Sequence, residues 1–216
     1  MVNTTIDRKQ ISNISSVKVR RLNGFDDPEF CEADWMRLLF HGDTRTVNLT
    51  WKWQRMWWET FGTGELLLLL AEQNGLAVAI APFFTDGGMI YNLCPEDHLD
   101  FIGDISDPDI LDAILITARQ SVSGFKGFLF YFIPGASRTG KRLSESSSRL
   151  GLKFHMENKI ASPWIDLKAY PEHALQCTRK KSLRRHENFF IQHGGIRVLH
   201  FQKAKDILPY LQSFFD

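Results

Sequence analysis

Apolar and polar positions alternate over Val17–Leu22, which predicts a short strand after a polar leader at residues 1–16. Trp35, Leu38 and Leu39 then recur at helical spacing and predict a helix over Glu32–Phe40. A second helix is expected over Asn48–Phe61. Within it Trp53, Trp57 and Phe61 fall at i, i+4 and i+8 and so share one face, and Gly62 stops it. Such an aromatic stripe can hold a ligand ring, but nothing polar converges on it, so core packing is the expectation. Three strands follow at Glu65–Glu72, Leu76–Phe84 and Met89–Leu93. Their connectors, Gln73-Asn74-Gly75 and Asp86-Gly87-Gly88, are hairpin turns built from residues that tolerate positive φ, which makes this stretch an antiparallel meander.

Asp107-Pro108 then opens a helix to about Val122, with Asp107 as N-cap and Pro108 in the first helical position. The remaining pattern predicts an aromatic strand over Gly127–Ile133, a polar helix over Ser137–Leu150 stopped by Gly151, and a strand over Leu152–Lys159. A boundary falls near Ala161–Pro163, dividing a module at 17–160 from a shorter stretch at 161–216. That stretch reads as a strand at Trp164–Leu167, a long basic helix from Tyr170-Pro171 to about His193, a strand at Ile196–Phe201 and a helix at Ala204–Phe215. A meander followed by βαβ crossovers means an α/β class, a mixed sheet with helices on both faces.

Composition narrows the class. With 44% hydrophobic and 24% charged residues among 216, the chain can build an ordinary globular core. Cys31, Cys94 and Cys177 lie far apart without metal-ligand spacing, which suits a reducing compartment and argues against a disulfide scaffold or zinc site. The longest apolar run, Leu76–Phe84, has 9 residues against the roughly 20 that span a bilayer, and no signal-peptide core follows Met1. A cytoplasmic location is therefore expected. The net charge of +1 conceals an asymmetry. Residues 1–160 carry 17 basic and 20 acidic side chains, whereas residues 161–216 carry 9 basic and 5 acidic. Such a shift marks a change of module or a surface for an anionic partner.

The element order resembles the GNAT acyltransferase fold, and more closely the CelD-type tandem-GNAT family associated with cellulose biosynthesis and related to the FemABX transferases. In the first module the resemblance rests on the spaced tryptophans and on the strand pair Leu66–Leu70 and Val78–Phe83 with its Ala81-Pro82 end. In the second it rests on Ser162-Pro163-Trp164-Ile165-Asp166-Leu167, on Arg179-Lys180-Lys181-Ser182-Leu183-Arg184-Arg185 and on His193-Gly194-Gly195. It implies a complete first GNAT-like module and a partial second one. It also implies transfer of an acyl group from acetyl-CoA or another acyl-CoA to a small-molecule or glycan acceptor, polysaccharide- or envelope-related. GNAT enzymes hold the pyrophosphate on backbone N–H groups of a glycine-rich turn that opens a helix. The equivalent stretch here, Leu99–Asp109, carries Asp100, Asp104, Asp107 and Asp109 and no basic residue, so it is a poor coenzyme site. The chain stops on Phe214-Phe215-Asp216 without the glycine turn of the second module, so either a fragment of a longer protein or a natural short form is expected, inactive by itself, and the apolar end favours the fragment.

His98 and Asp100 are the candidate catalytic pair, an imidazole near a carboxylate acting as general base in the loop after the third meander strand. Lys181, Arg184 and Arg185, on adjacent helix faces, are the candidates for coenzyme phosphates. The other reading of the same cluster is a non-catalytic module that binds nucleic acid or another polyanion through residues 178–193. The acidic run from Glu96 to Asp112 fits no calcium loop, and no metal site is expected. No GxSxG motif or Walker loop is read.

Overall fold

The computed structural model describes residues 17–95, 98–157, 160–161, 166–195 and 197–215. The chain divides into two compact units, one ending at Met156 and the other beginning at Glu157.

The first unit is a mixed α/β fold around a six-stranded sheet. Its elements are β1 (Val17–Arg21), α1 (Glu32–His41), a 3-10 turn (Val47–Leu49), α2 (Trp51–Phe61), β2 (Glu65–Gln73), β3 (Leu76–Asp86), β4 (Met89–Asn92), β5 (Ile102–Gly103), α3 (Pro108–Ser121), β6 (Gly127–Leu129) and α4 (Thr139–Arg149). The strands run in the order β1-β2-β3-β4-β6, with β5 on β3 beyond the end of β4. All pairs are antiparallel except β4 with β6, which is parallel and is reached through the α3 crossover. Both meander turns form as expected. Asn74 and Gly75 have φ of 53° and 77°, and Gly87 and Gly88 have 55° and 86°, positive at both central positions as a type I′ hairpin requires.

Side chains alternate across a strand, and β2 is apolar on both sides. Leu67, Leu69 and Ala71 pack with Ala79, Ala81 and Phe83 of β3 against α3 and Leu143 of α4. Leu68 and Leu70 pack with Ile80 and Phe84 against Trp35, Leu38 and Leu39 of α1. Helices therefore cover both faces. Asp107 caps α3 through its carboxylate, which accepts the Asp109 N–H at 3.0 Å, and Pro108 takes the first helical position.

Several expectations are corrected. The stripe Trp53, Trp57, Phe61 joins the core only at Trp57, which packs on Phe84: Trp53 is 40% and Phe61 64% exposed, and the buried residue of α2 is Gln54. The helix turns its N-terminal and Trp58 side inward instead, with Trp51, Trp57 and Trp58 partly buried against the α1 layer. The strand expected at Gly127–Ile133 ends at Leu129, because β4 offers only Met89–Tyr91 to pair with it. Residues 152–157 form no strand although their pattern is apolar enough, and Asn158-Lys159 lie outside the described residues. The two-residue strand β5 was not expected. It forms where Gly103, at φ +106°, lies so close to β3 that a Cβ there would sit 2.3 Å from the Val78 carbonyl oxygen.

The second unit contains α5 (Pro171–Thr178), α6 (Lys181–Gln192) and α7 (Ala204–Phe215). The long basic helix is thus two helices, broken at Arg179-Lys180. Residues 197–201 are not a strand, and neither are Asp166 and Leu167, while Ser162–Ile165 and Ile196 lie outside the described residues. None of the described side chains of this unit is buried.

Two outcomes follow from this packing. Leu69, at 0% exposure in the central strand pair, should cost about 2–5 kcal/mol of stability when replaced by Ala, against less than ~0.5 kcal/mol for Leu76→Ala at 70% exposure. Urea unfolding of the two variants measures the contrast. Limited proteolysis should cut between about Ala169 and the C-terminus and leave a resistant first unit, since none of the described side chains of the second is buried in a core. Even resistance along the whole chain would contradict this.

Candidate functional site

The strands β4 and β6 part after the pair Tyr91–Leu129. Asn92 holds them at that distance. Its amide nitrogen donates to the Tyr131 carbonyl at 3.2 Å, and its amide oxygen accepts the Tyr131 N–H at 3.0 Å, so a side chain replaces the next rung of the ladder. Below this wedge lies a crevice lined by Pro82, Phe83, Asn92, Asp100, Phe101, Phe130 and Ile133. It encloses ≈ 10 Å³, about the room of one water molecule.

The sequence explains why the sheet opens here. The Leu93 N–H donates to the Pro82 carbonyl at 2.8 Å, so residue 82 presents its backbone groups to the β4 side of β3. Proline has no N–H to continue a ladder on that side. The chain leaves β3 at this point, makes an excursion from Leu93 to Phe101, and returns as β5. Strain collects around the excursion. Cys94, His98 and Phe132 adopt φ of 57°, 60° and 52°, three of the four non-glycine residues with positive φ among those described. The Leu99 N–H donates to the Phe132 carbonyl, and the Trp53 indole N–H reaches the Cys94 Sγ at 3.3 Å, so the strained residues are tied together and to α2.

Asp100 is the anchor of this loop. It is 8% exposed, and its Oδ2 accepts the hydroxyls of Thr44 at 2.7 Å and Ser137 at 2.6 Å. Its Oδ1 accepts the Thr139 hydroxyl at 2.6 Å and the Phe101 N–H at 2.8 Å. One carboxylate therefore joins the α1–α2 connection, the excursion and the start of α4. His98 is exposed, and its carbonyl accepts the Thr46 hydroxyl at 3.2 Å. No hydrogen bond joins the His98 and Asp100 side chains among the described residues. The geometry makes the imidazole available to solvent and the carboxylate a brace.

Carboxylates also close the helix N-termini nearby. Asp107 caps α3, and its second oxygen accepts from the Gln73 amide at 2.8 Å. Asp104, just before it, is held below the usual carboxylate range by hydrogen bonds from the Ser106 hydroxyl and backbone N–H. At α4 the stretch Gly135–Lys141 reads G-x-x-x-x-G-K, followed by Arg142 where phosphate-binding loops of this type carry Ser or Thr. This partial match between a strand and a helix went unread in the sequence, although its two glycines and lysine are in register. Asp43 accepts from the Arg138 N–H at 3.4 Å and from Arg142 at 3.0 Å, while Asp100 takes Ser137 and Thr139. Two carboxylates of the chain itself stand at the turn where a phosphate would bind.

The rest of the acidic run is dispersed among local partners, with Asp112 held bidentate by Arg149 at 2.6 and 2.9 Å. Glu96 and Asp97 lie outside the described residues. Among those described, no three His, Cys, Asp or Glu side chains converge on a point that could hold a metal. Lys181, Arg184 and Arg185 all lie on α6, exposed and remote in sequence from the crevice. No family model matches the chain, and neither does any curated protein or solved structure.

The brace predicts a measurable cost. Asp100→Asn presents one acceptor oxygen where two served four donors, so unfolding in urea should show a loss of about 1–3 kcal/mol. Asp100→Leu, which strands three hydroxyls and an N–H, should lose more. Loss within ~0.5 kcal/mol, the range of an ordinary surface change, would mean the carboxylate is not the anchor.

Proposed function

We propose that the chain is a GNAT-type acyltransferase protein that uses an acyl-CoA to acylate an amine or hydroxyl, on an acceptor related to polysaccharide or the cell envelope. The observation that carries this reading is the parallel β4–β6 pair that parts at Asn92 over a crevice, beside a strained loop presenting His98. In this reading the acceptor nitrogen or oxygen attacks the thioester carbonyl, the C–S bond breaks, and the thiolate leaves. The exposed His98 imidazole takes the proton that the acceptor loses. Asp100 acts as a positioning residue that fixes the loop. Within the second unit taken by itself, Lys181, Arg184 and Arg185 are the cations proposed for coenzyme phosphates, whereas in the first unit the start of α3 is closed to them by Asp104 and Asp107.

A second reading has its own observation. None of the nine basic side chains from Lys168 to Lys205 forms an ion pair with a described carboxylate, whereas those of the first unit that pair include Arg20, Arg21, Arg55, Arg142 and Arg149. Unpaired cations at this density suit a polyanion, which makes residues 178–193 a binding surface rather than part of a catalytic module.

Coenzyme A binding separates the two. Equilibrium titration should show binding that weakens about tenfold or more in Arg184→Ala with Arg185→Ala, since charge-assisted contacts of ~1.5–3 kcal/mol are removed. Duplex DNA binding with a salt slope of about −3 to −4, and none of coenzyme A, would instead establish the second reading. Turnover of acetyl-CoA by these 216 residues should stay at background in a thiol-release assay with amines and sugars, because the crevice holds ≈ 10 Å³. Robust release would show that the crevice opens to a coenzyme.

A further inference from the structure

The helix α6 joins two properties that neither reading above uses together. Its cations, Lys181, Arg184 and Arg185, continue the pair Arg179-Lys180 and are all exposed and without ion-pair partners among the described residues. Its apolar side chains are also uncovered, with Leu183 49%, Phe189 53%, Phe190 50% and Ile191 59% exposed. Helical spacing puts Leu183, Phe190 and Ile191 on one stripe and Lys181 with Arg185 on another, with Arg184 bordering the apolar one. Glu187, on the apolar stripe, is the helix's one carboxylate.

We infer that α6 docks on an anionic lipid surface, resting on the polyanion reading of residues 178–193. Charge complementarity selects the sign of the partner, and the apolar stripe selects its kind. Phosphates of a nucleic acid neutralise Lys and Arg but give Leu183, Phe190 and Ile191 nowhere to go. A bilayer interface takes both, since cations meet the anionic headgroups and the apolar stripe sinks to the acyl boundary. Such docking lies in the plane of the surface and needs no spanning segment. No helix among the described residues is long and apolar enough to cross a membrane. The cations of α6, Lys181, Arg184 and Arg185, then find their counter-charges on the lipid.

The test uses the full 216-residue chain, with vesicles of neutral phosphatidylcholine or of phosphatidylcholine with phosphatidylserine, at physiological salt. Co-sedimentation should favour the anionic vesicles by at least about tenfold. Arg184→Ala with Arg185→Ala should lose roughly 30-fold, the product of two lost headgroup contacts. Phe190→Ala, at a half-exposed position on the apolar stripe, should also weaken vesicle binding while leaving duplex DNA binding unchanged. Circular dichroism of each variant checks that the helices persist. Equal binding to both vesicles, or an aromatic variant that binds as well as the parent, overturns the inference. DNA binding without vesicle binding overturns it too and leaves the polyanion reading standing, whereas binding to neither sinks both. Self-association that is lost with Phe190 would assign the stripe to a second copy and likewise overturn it.

Discussion

The fold depends on a strand pair that cannot be left wet on either side. Leu67, Leu69 and Ala71 point one way from β2 and Leu68 and Leu70 the other, and β3 repeats the pattern with Ala79, Ala81 and Phe83 against Ile80 and Phe84. Each buried leucine contributes ~1.5–3 kcal/mol, so exposing either face forfeits several such contributions. The chain must therefore supply helices to both faces. It brings α1 and α2 to one before the meander and α3 and α4 to the other after it. A strand entered after α3 can only join the sheet in parallel, and this makes β4–β6 the one parallel pair.

That junction concentrates the irregularities of the first unit. Pro82 interrupts the ladder on the β4 side, so the chain must loop away from β3 and rejoin it at Gly103. The loop carries positive φ at Cys94 and His98, conformations that cost of order 1–3 kcal/mol each in non-glycine residues. Asn92 and Asp100 offset this with hydrogen bonds from both sides of the gap. The crevice is thus a defect in a well-packed sheet, framed by polar groups that are already satisfied. A static defect of this size admits no substrate, and any acyl group or acceptor entering must displace Asn92 from Tyr131 or open the Phe83–Phe130 stack, whose ring centroids lie 5.4 Å apart.

What could be read from the sequence was local. Hairpin turns, the Asp107-Pro108 cap and the apolar runs of β2 and β3 are encoded within a few residues, and the structure has them where the pattern put them. The misreadings are of pattern without a partner. Residues 152–157 and 197–201 have strand-like composition but pair with no strand among the described residues, and pairing rather than propensity makes a strand. The aromatic stripe of α2 obeyed helical periodicity, yet only Trp57 of it packs on the core, with Gln54, Trp51 and Trp58, because Phe84 of the sheet beneath meets Trp57 and Trp58. The Asp100 brace was invisible because its hydroxyl donors lie 56, 37 and 39 residues away. Only the G-x-x-x-x-G-K stretch was legible and overlooked, and even read it would have misled, since Asp43 and Asp100 occupy its turn.

The two units divide the electrostatics between them. In the first, carboxylates sit at the starts of three of its four α-helices: Glu32 and Asp34 at α1, Asp107 and Asp109 at α3, and Asp43 and Asp100 around α4. A helix N-terminus is the cheapest anion site a protein has, and negative charge placed there both stabilises the helix and excludes an external anion. These helices are therefore optimised for stability at the expense of phosphate binding. The second unit shows the opposite choice, with nine cations unpaired and no side chain buried among the described residues. The exposed cations of α6 give the second unit, taken by itself, the electrostatic attraction that a coenzyme, a nucleic acid or a lipid headgroup would need.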